Sequence, residues 1–132
     1  MFLGFDPGRE KCGIAVLSAN QEVQCLVVVP ASDALETVER LWHQWNPTVL
    51  IMGDQTTSSQ WQQVFQKVHI PVVMVDERYS TLEARDRYWQ LYPPQGLTRF
   101  MPRSLRSISR PIDDVVALIL IERYLSGLVT QK

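Results

Sequence analysis

The stretch Leu3-Gly4-Phe5-Asp6-Pro7-Gly8-Arg9-Glu10-Lys11-Cys12-Gly13-Ile14-Ala15-Val16 decides the fold. Met1 to Phe5 is a short apolar run that ends in Asp6-Pro7-Gly8, a turn signal. Cys12 to Leu17 is rich in β-branched and small residues and predicts a second strand. Asn20 suits a turn, and Val23 to Val29 reads as a third strand that Pro30 ends. Tight turns between consecutive strands favour an antiparallel meander. Alternation along the first strand puts Phe2, Gly4 and Asp6 on one face, with free space at Gly4 beside Asp6.

Downstream the period changes. Ser32 or Asp33 can cap a helix, and Glu36 completes a capping box with Asp33. Apolar residues at 34, 35, 38, 41, 42 and 45 form a helical stripe that Asn46-Pro47 stops. Val49 to Met52 is a wholly apolar strand, expected to be covered on both faces. Ser58 to Val68 is an amphipathic, glutamine-rich helix candidate, and Val72 to Val75 is another apolar strand. Ser80-Thr81-Leu82-Glu83 is a capping box opening a helix to about Tyr92, and a last helix runs from Asp113 to about Leu128. The fold class is therefore α/β: a mixed five-stranded sheet, three antiparallel strands followed by two parallel ones, flanked by helices. Right-handed crossovers lay the later strands beside the first.

A chain of 132 residues fits one domain, 1–132, and is too short for two nucleotide-binding lobes. The two cysteines, Cys12 and Cys25, are too few for a disulfide framework or a four-cysteine zinc site. No run approaches the ~20 apolar residues of a membrane helix, and Asp6 interrupts any leader-like start. A soluble, cytoplasmic protein is expected. The net charge of -1 conceals an asymmetry. Residues 93–112 carry Arg99, Arg103, Arg106 and Arg110, no acid, and four of the eight prolines, so the rest of the chain stands at -5. The stretch reads as a long basic loop; arginine forks match phosphate geometry, although a solvated insertion is the plainer alternative.

The acids gather at element ends. Asp6 ends the first strand, Asp54 the fourth, Asp76 and Glu77 the fifth, and Asp113 and Asp114 open the last helix. Each alone has an ordinary explanation as a turn or cap residue. Together they fall at one edge of the sheet, where open α/β sheets hold their sites. Carboxylates brought to one point repel, and a hard divalent cation, Mg2+ or Mn2+ rather than zinc, relieves the repulsion. That is the apparatus of two-metal phosphodiester cleavage.

Three segments carry a resemblance. The opening fourteen-residue stretch, Val75-Asp76-Glu77-Arg78-Tyr79-Ser80-Thr81-Leu82-Glu83-Ala84, and Ile112-Asp113-Asp114-Val115-Val116-Ala117-Leu118-Ile119-Leu120-Ile121-Glu122-Arg123-Tyr124-Leu125 occur in the order and spacing of the YqgF (RuvX-like) family. The chain resembles these Holliday-junction resolvases and pre-16S rRNA-processing nucleases of the ribonuclease H-like superfamily over nearly its whole length. Tyr79-Ser80-Thr81 stands where the family usually has leucine and paired threonines, and Gly53-Asp54-Gln55 where it often has Gly-Leu-Pro.

The resemblance implies a ribonuclease H-like domain and a Mg2+- or Mn2+-dependent nuclease acting on RNA or branched DNA, as monomer or homodimer. The catalytic residues it implies are Asp6, Glu77 and Asp113, with Asp114 as a further metal ligand and Asp54 near a position where related resolvases keep an acid. Lys11, Arg78, Arg99, Arg103, Arg106 and Arg110 are the expected nucleic-acid contacts. A catalytically inactive binding module of the same fold is the alternative.

Overall fold

The computed structural model describes residues 1–54, 57–102, 108 and 110–130. The β-branched and small residues of the first third build β1 (Phe2–Asp6), β2 (Lys11–Leu17) and β3 (Val23–Pro30), paired antiparallel. β4 (Val49–Gly53) pairs parallel with β1, and β5 (Val72–Val75) parallel with β4, giving the order β3-β2-β1-β4-β5. This is the mixed five-stranded sheet expected above, three antiparallel strands followed by two parallel ones. The connections run through α1 (Ala34–Trp45) and α2 (Ser58–Lys67), and α3 (Ser80–Leu91) and α4 (Asp113–Thr130) complete the chain. Within the basic stretch a short 3-10 turn forms at Gly96–Phe100, where the sequence suggested only extended loop. Among the described residues no helix is long and apolar enough to cross a membrane.

Strand alternation sorts the side chains into two cores. Leu3 and Phe5 of β1, Cys12, Ile14 and Val16 of β2, and Leu50 and Met52 of β4 face α1 and α2. Phe5 anchors α2 there, its ring edge-on to Trp61 at 4.9 Å and to Phe65 at 5.1 Å. Trp42, Trp45 and Trp61 pack against this core, as their helical spacing implied. Ala15, Leu17, Val49 and Ile51 face the other way, onto Ala117, Leu118, Leu120 and Ile121 of α4. Cys12 lies opposite Val29 and Cys25 opposite Val16, so the two free thiols do not face each other.

The α4 face is cut to let the helix approach. A Cβ on Gly4 would collide with the Ala117 carbonyl and Ile121, and one on Gly13 with the backbone of Asp113 and Asp114. Glycine is required at both by the close approach, since neither has a positive φ. Helix α4 thus lies directly on β1 and β2, with its first turn over Gly13.

Neither predicted capping box forms. Asp33 and Tyr79 occupy the N-cap positions of α1 and α3 without a side-chain cap hydrogen bond. A 3-10 turn, Ala31–Asp33, leads into α1, and the Thr37 hydroxyl donates to the Asp33 carbonyl at 2.8 Å. At α3 the Glu83 carboxylate accepts instead from Arg123 at 2.6 Å; a charge-assisted bond to a guanidinium outcompetes a return to a backbone amide.

Gly13→Ala is expected to lift α4 off the sheet and destabilise the protein by about 1–3 kcal/mol. A thermal melt followed by circular dichroism would show a midpoint lower by several degrees.

Candidate active site

Asp6 is the last residue of β1 and shares its face with Phe2 and Gly4, under α4. Its neighbours across the sheet are glycines. Asp6 pairs with Gly13 of β2, and on the other side Gly53 follows Met52, the last residue of β4 paired with β1. A bare glycine on each side leaves room for something else to come close. Over Gly13 it is the main chain of Asp113; over Gly53 it is the carboxylate of Glu77, whose Cδ would lie 2.6 Å from an added Cβ. Glu77 continues the alternation of Val73 and Val75 onto the same face. Its residue is buried, and both carboxylate oxygens are withdrawn from solvent.

Three acids, 71 and 107 residues from first to second and first to third along the chain, thus meet around one strand end. The electrostatic consequence falls on Asp6. Its carboxyl is pushed up to about 7 from 3.8, first by burial, then by the Asp113 charge, then by that of Glu77. Its charged form is thus strongly disfavoured relative to an ordinary carboxylate.

The other sequence-predicted residues divide. Asp114 is fully buried; its Oδ2 accepts from Arg110 Nη2 at 2.7 Å and its Oδ1 from the Val115 amide at 2.9 Å. Arg110, expected to meet phosphate, is therefore held by Asp114, and its guanidinium also lies 5.6 Å from the centre of the Tyr92 ring. Asp54 is exposed, and the alternation of β4 continues it toward the face of Met52, away from Asp6. Lys11 and Arg78 are exposed beside the site, at the start of β2 and just after Glu77. Arg99 is exposed over Phe100. Arg103 and Arg106 lie outside the described residues.

Sequence reasoning missed Arg123. From α4 it donates to the carbonyls of Asp76 and Arg78, on either side of Glu77. Tyr79 has a φ of +62°, in the left-handed region that a bulky side chain enters at a cost, and is 69% exposed.

The donor set is all hard oxygen, and one acid is visibly destabilised by the other two, which fits a hard divalent cation. Glu77 is seated where a Cβ on Gly53 would exclude it. Among the described residues, no three His, Cys, Asp or Glu side chains stand close enough to grip an ion as they are. Taking up an ion requires the acids to converge further.

The family model described as RuvX, Holliday junction resolvase, matches residues 1–127. A protein of Xanthomonas oryzae pv. oryzae (strain PXO99A), bearing the name "Putative pre-16S rRNA nuclease", is 30% identical over 144 residues, spanning 95% of this chain and 86% of that one. One of the same name from Legionella pneumophila (strain Lens) is 29% identical over 144 residues, spanning 95% and 94%. Among solved structures, T. thermophilus RuvC in complex with Holliday junction substrate aligns over 90% of this chain and 88% of that one, with TM-score 0.48 and 16% identity.

The strain on Asp6 predicts a pH dependence. Unfolded, the group ionises near 3.8; folded, near 7. Between these values the native state binds more protons, so stability falls as pH rises through the window and levels off above about 7. Asp6→Asn removes the penalty. In chelator-containing buffer the variant is expected to match wild type at pH 4 and exceed it at pH 8 by at most about 4 kcal/mol, as read from urea denaturation at the two pH values.

Proposed function

The chain belongs to the RuvX (Holliday junction resolvase) family, and on that premise we propose that it is a Mg2+- or Mn2+-dependent nuclease hydrolysing phosphodiester bonds in structured nucleic acid. The observation that carries this reading is the raised Asp6 carboxyl, which burial, Asp113 and Glu77 push up to about 7. Three carboxylates kept in mutual repulsion at a half-buried strand end serve no packing purpose. The names of the relatives favour precursor ribosomal RNA, and the family description favours a four-way junction.

Asp6, on which both other charges act, would hold the cation together with Glu77 and Asp113. A bound ion pair would supply a water of lowered pKa and a stabilised leaving oxygen. The residues do the rest. The Asp6 carboxyl gives up its proton when a cation arrives, since a positive charge reverses the repulsion that keeps it protonated. Binding is therefore expected to release a proton below about pH 7. Lys11 and Arg78 meet phosphates on either side of the scissile bond, as exposed cations beside a cluster of acids can. Asp114 has a different part: with Arg110 it fastens the end of the basic stretch to the first turn of α4.

The test is cleavage of a pre-16S rRNA fragment, a four-way DNA junction and a single strand, each with Mg2+ or Mn2+. Wild type is expected to cut at least one. Asp6→Asn, Glu77→Gln and Asp113→Asn are each expected to lose roughly a hundredfold or more while keeping the wild-type circular dichroism. Binding without cleavage by wild type in all six conditions would favour the inactive binding module instead.

Gly53→Ala offers a subtler check. Its methyl meets the end of a flexible side chain, so the fold yields cheaply but Glu77 is turned aside. A near-normal melting temperature with cleavage reduced roughly 10- to 100-fold is expected.

A further inference from the structure

Arg123 lies on α4 ten residues after Asp113 and reaches across to the turn that bears Glu77. Its Nη1 donates to the Asp76 carbonyl at 2.8 Å, and its Nη2 to the Arg78 carbonyl at 2.5 Å and to the Glu83 carboxylate at 2.6 Å. The peptide unit entering Glu77 is held by this guanidinium. The unit leaving it is held by the Arg78 amide, which donates to Asp76 Oδ1 at 2.9 Å, and by the Glu77 carbonyl, which accepts from the Ser80 amide at 3.0 Å. Both planes that set where the Glu77 side chain departs are thereby fixed, one from within the turn and one from α4.

We propose that Arg123 is the positioning residue for Glu77, tying the helix that carries Asp113 to the turn that carries Glu77. It acts through the main chain of the turn and through Glu83. It rests on the reading above in that Glu77 is taken as a cation ligand. The planar fork matters, because one group must serve two carbonyls and a carboxylate; an ammonium cannot span them in the same way. Outer partners that orient ligands typically change metal affinity or activity 10- to 100-fold when removed.

The alternative is that Arg123 only joins α3 to α4. A second ion pair separates the two ideas. Arg87 and Glu122 link the same helices at 3.3 Å, and Arg87 also donates to Gln90 within α3. The site of Arg123 is also reachable from solvent. A groove of about 660 Å³ lined by Val73, Val75, Asp76, Arg78, Tyr124 and Gly127 opens onto it, wide enough to admit a free guanidinium ion.

The experiment uses the full chain as Arg123→Ala, Arg123→Lys and Arg87→Ala. Mn2+ affinity is read by isothermal titration calorimetry, and amide hydrogen exchange across residues 75–83 by mass spectrometry. Arg123→Ala is expected to weaken Mn2+ binding roughly 10- to 100-fold and to speed exchange in the turn. Guanidinium chloride at tens of millimolar is expected to reverse part of both, and Arg123→Lys to fall between. Arg87→Ala is expected to change neither. Equal losses in Arg87→Ala and Arg123→Ala, or unaltered Mn2+ affinity in a folded Arg123→Ala, would overturn the proposal. If wild type neither takes up Mn2+ nor cleaves, the nuclease reading fails by itself. The exchange arm then still decides: faster exchange in Arg123→Ala alone upholds Arg123 as what fixes Glu77, and unchanged exchange refutes it.

Discussion

Helix α4 can rest on the sheet only because two strand positions carry no side chain. Gly4 admits the Ala117 carbonyl, and Gly13 admits the main chain of Asp113 and Asp114. A methyl at either would meet backbone, which cannot swing aside. From this contact most of the molecule follows. The helix buries Leu118, Leu120 and Ile121 against Ala15, Leu17, Val49 and Ile51, closing the second core. Its first turn is pinned beside Asp6, the residue paired with Gly13. Farther along, Val115, Val116 and Ile119 pack with Ala84 of α3, and Arg123 reaches the turn after β5. One close approach thus sets both the packing of the helical layer and the spacing of the acids.

The cost of that arrangement is electrostatic. Three carboxylates held near one another at a half-buried point raise the energy of the charged state, and Asp6 responds by keeping its proton to about pH 7. Asp114, more deeply buried than any of them, has both its oxygens satisfied, by Arg110 and by a helix amide. The contrast between these neighbours is informative. Where an acid has a structural task the protein supplies a cation from its own chain. At Asp6 the residues that press on its charge are further acids.

Much of this was legible in the residues. Strict alternation in β1 puts Asp6 on the face of Gly4, and a strand that stops at Val75 leaves Glu77 at its end. A helix beginning at Asp113 follows from the apolar run after it. What was hidden has a common physical cause. Arg123 acts on main-chain carbonyls 45 and 47 residues away, and carbonyls leave no mark in a sequence. Gly13 and Gly53 look like any strand glycine until one knows what crosses above them. The capping box at Ser80 is a local pattern overruled from a distance, since Arg123 takes Glu83, whereas at Asp33 a neighbouring 3-10 turn stands in its place. The division between Asp113 and Asp114 depends on the roll of the helix about its axis, which composition cannot fix.

That roll has its own meaning. Successive residues on a helix point about 100° apart, so two identical side chains in sequence look in different directions. The doublet Asp113-Asp114 is therefore not a duplicated function with a spare. One member looks toward the end of β1; the other is turned inward and locked to Arg110. Sliding the helix by a single position, as an insertion or deletion just before residue 113 would, moves one of them into the other's place and turns the other away. The position facing Asp6 and the position facing Arg110 would then no longer hold one carboxylate each. The length of the chain between Pro111 and α4 is thus as much a part of the site as the acids themselves.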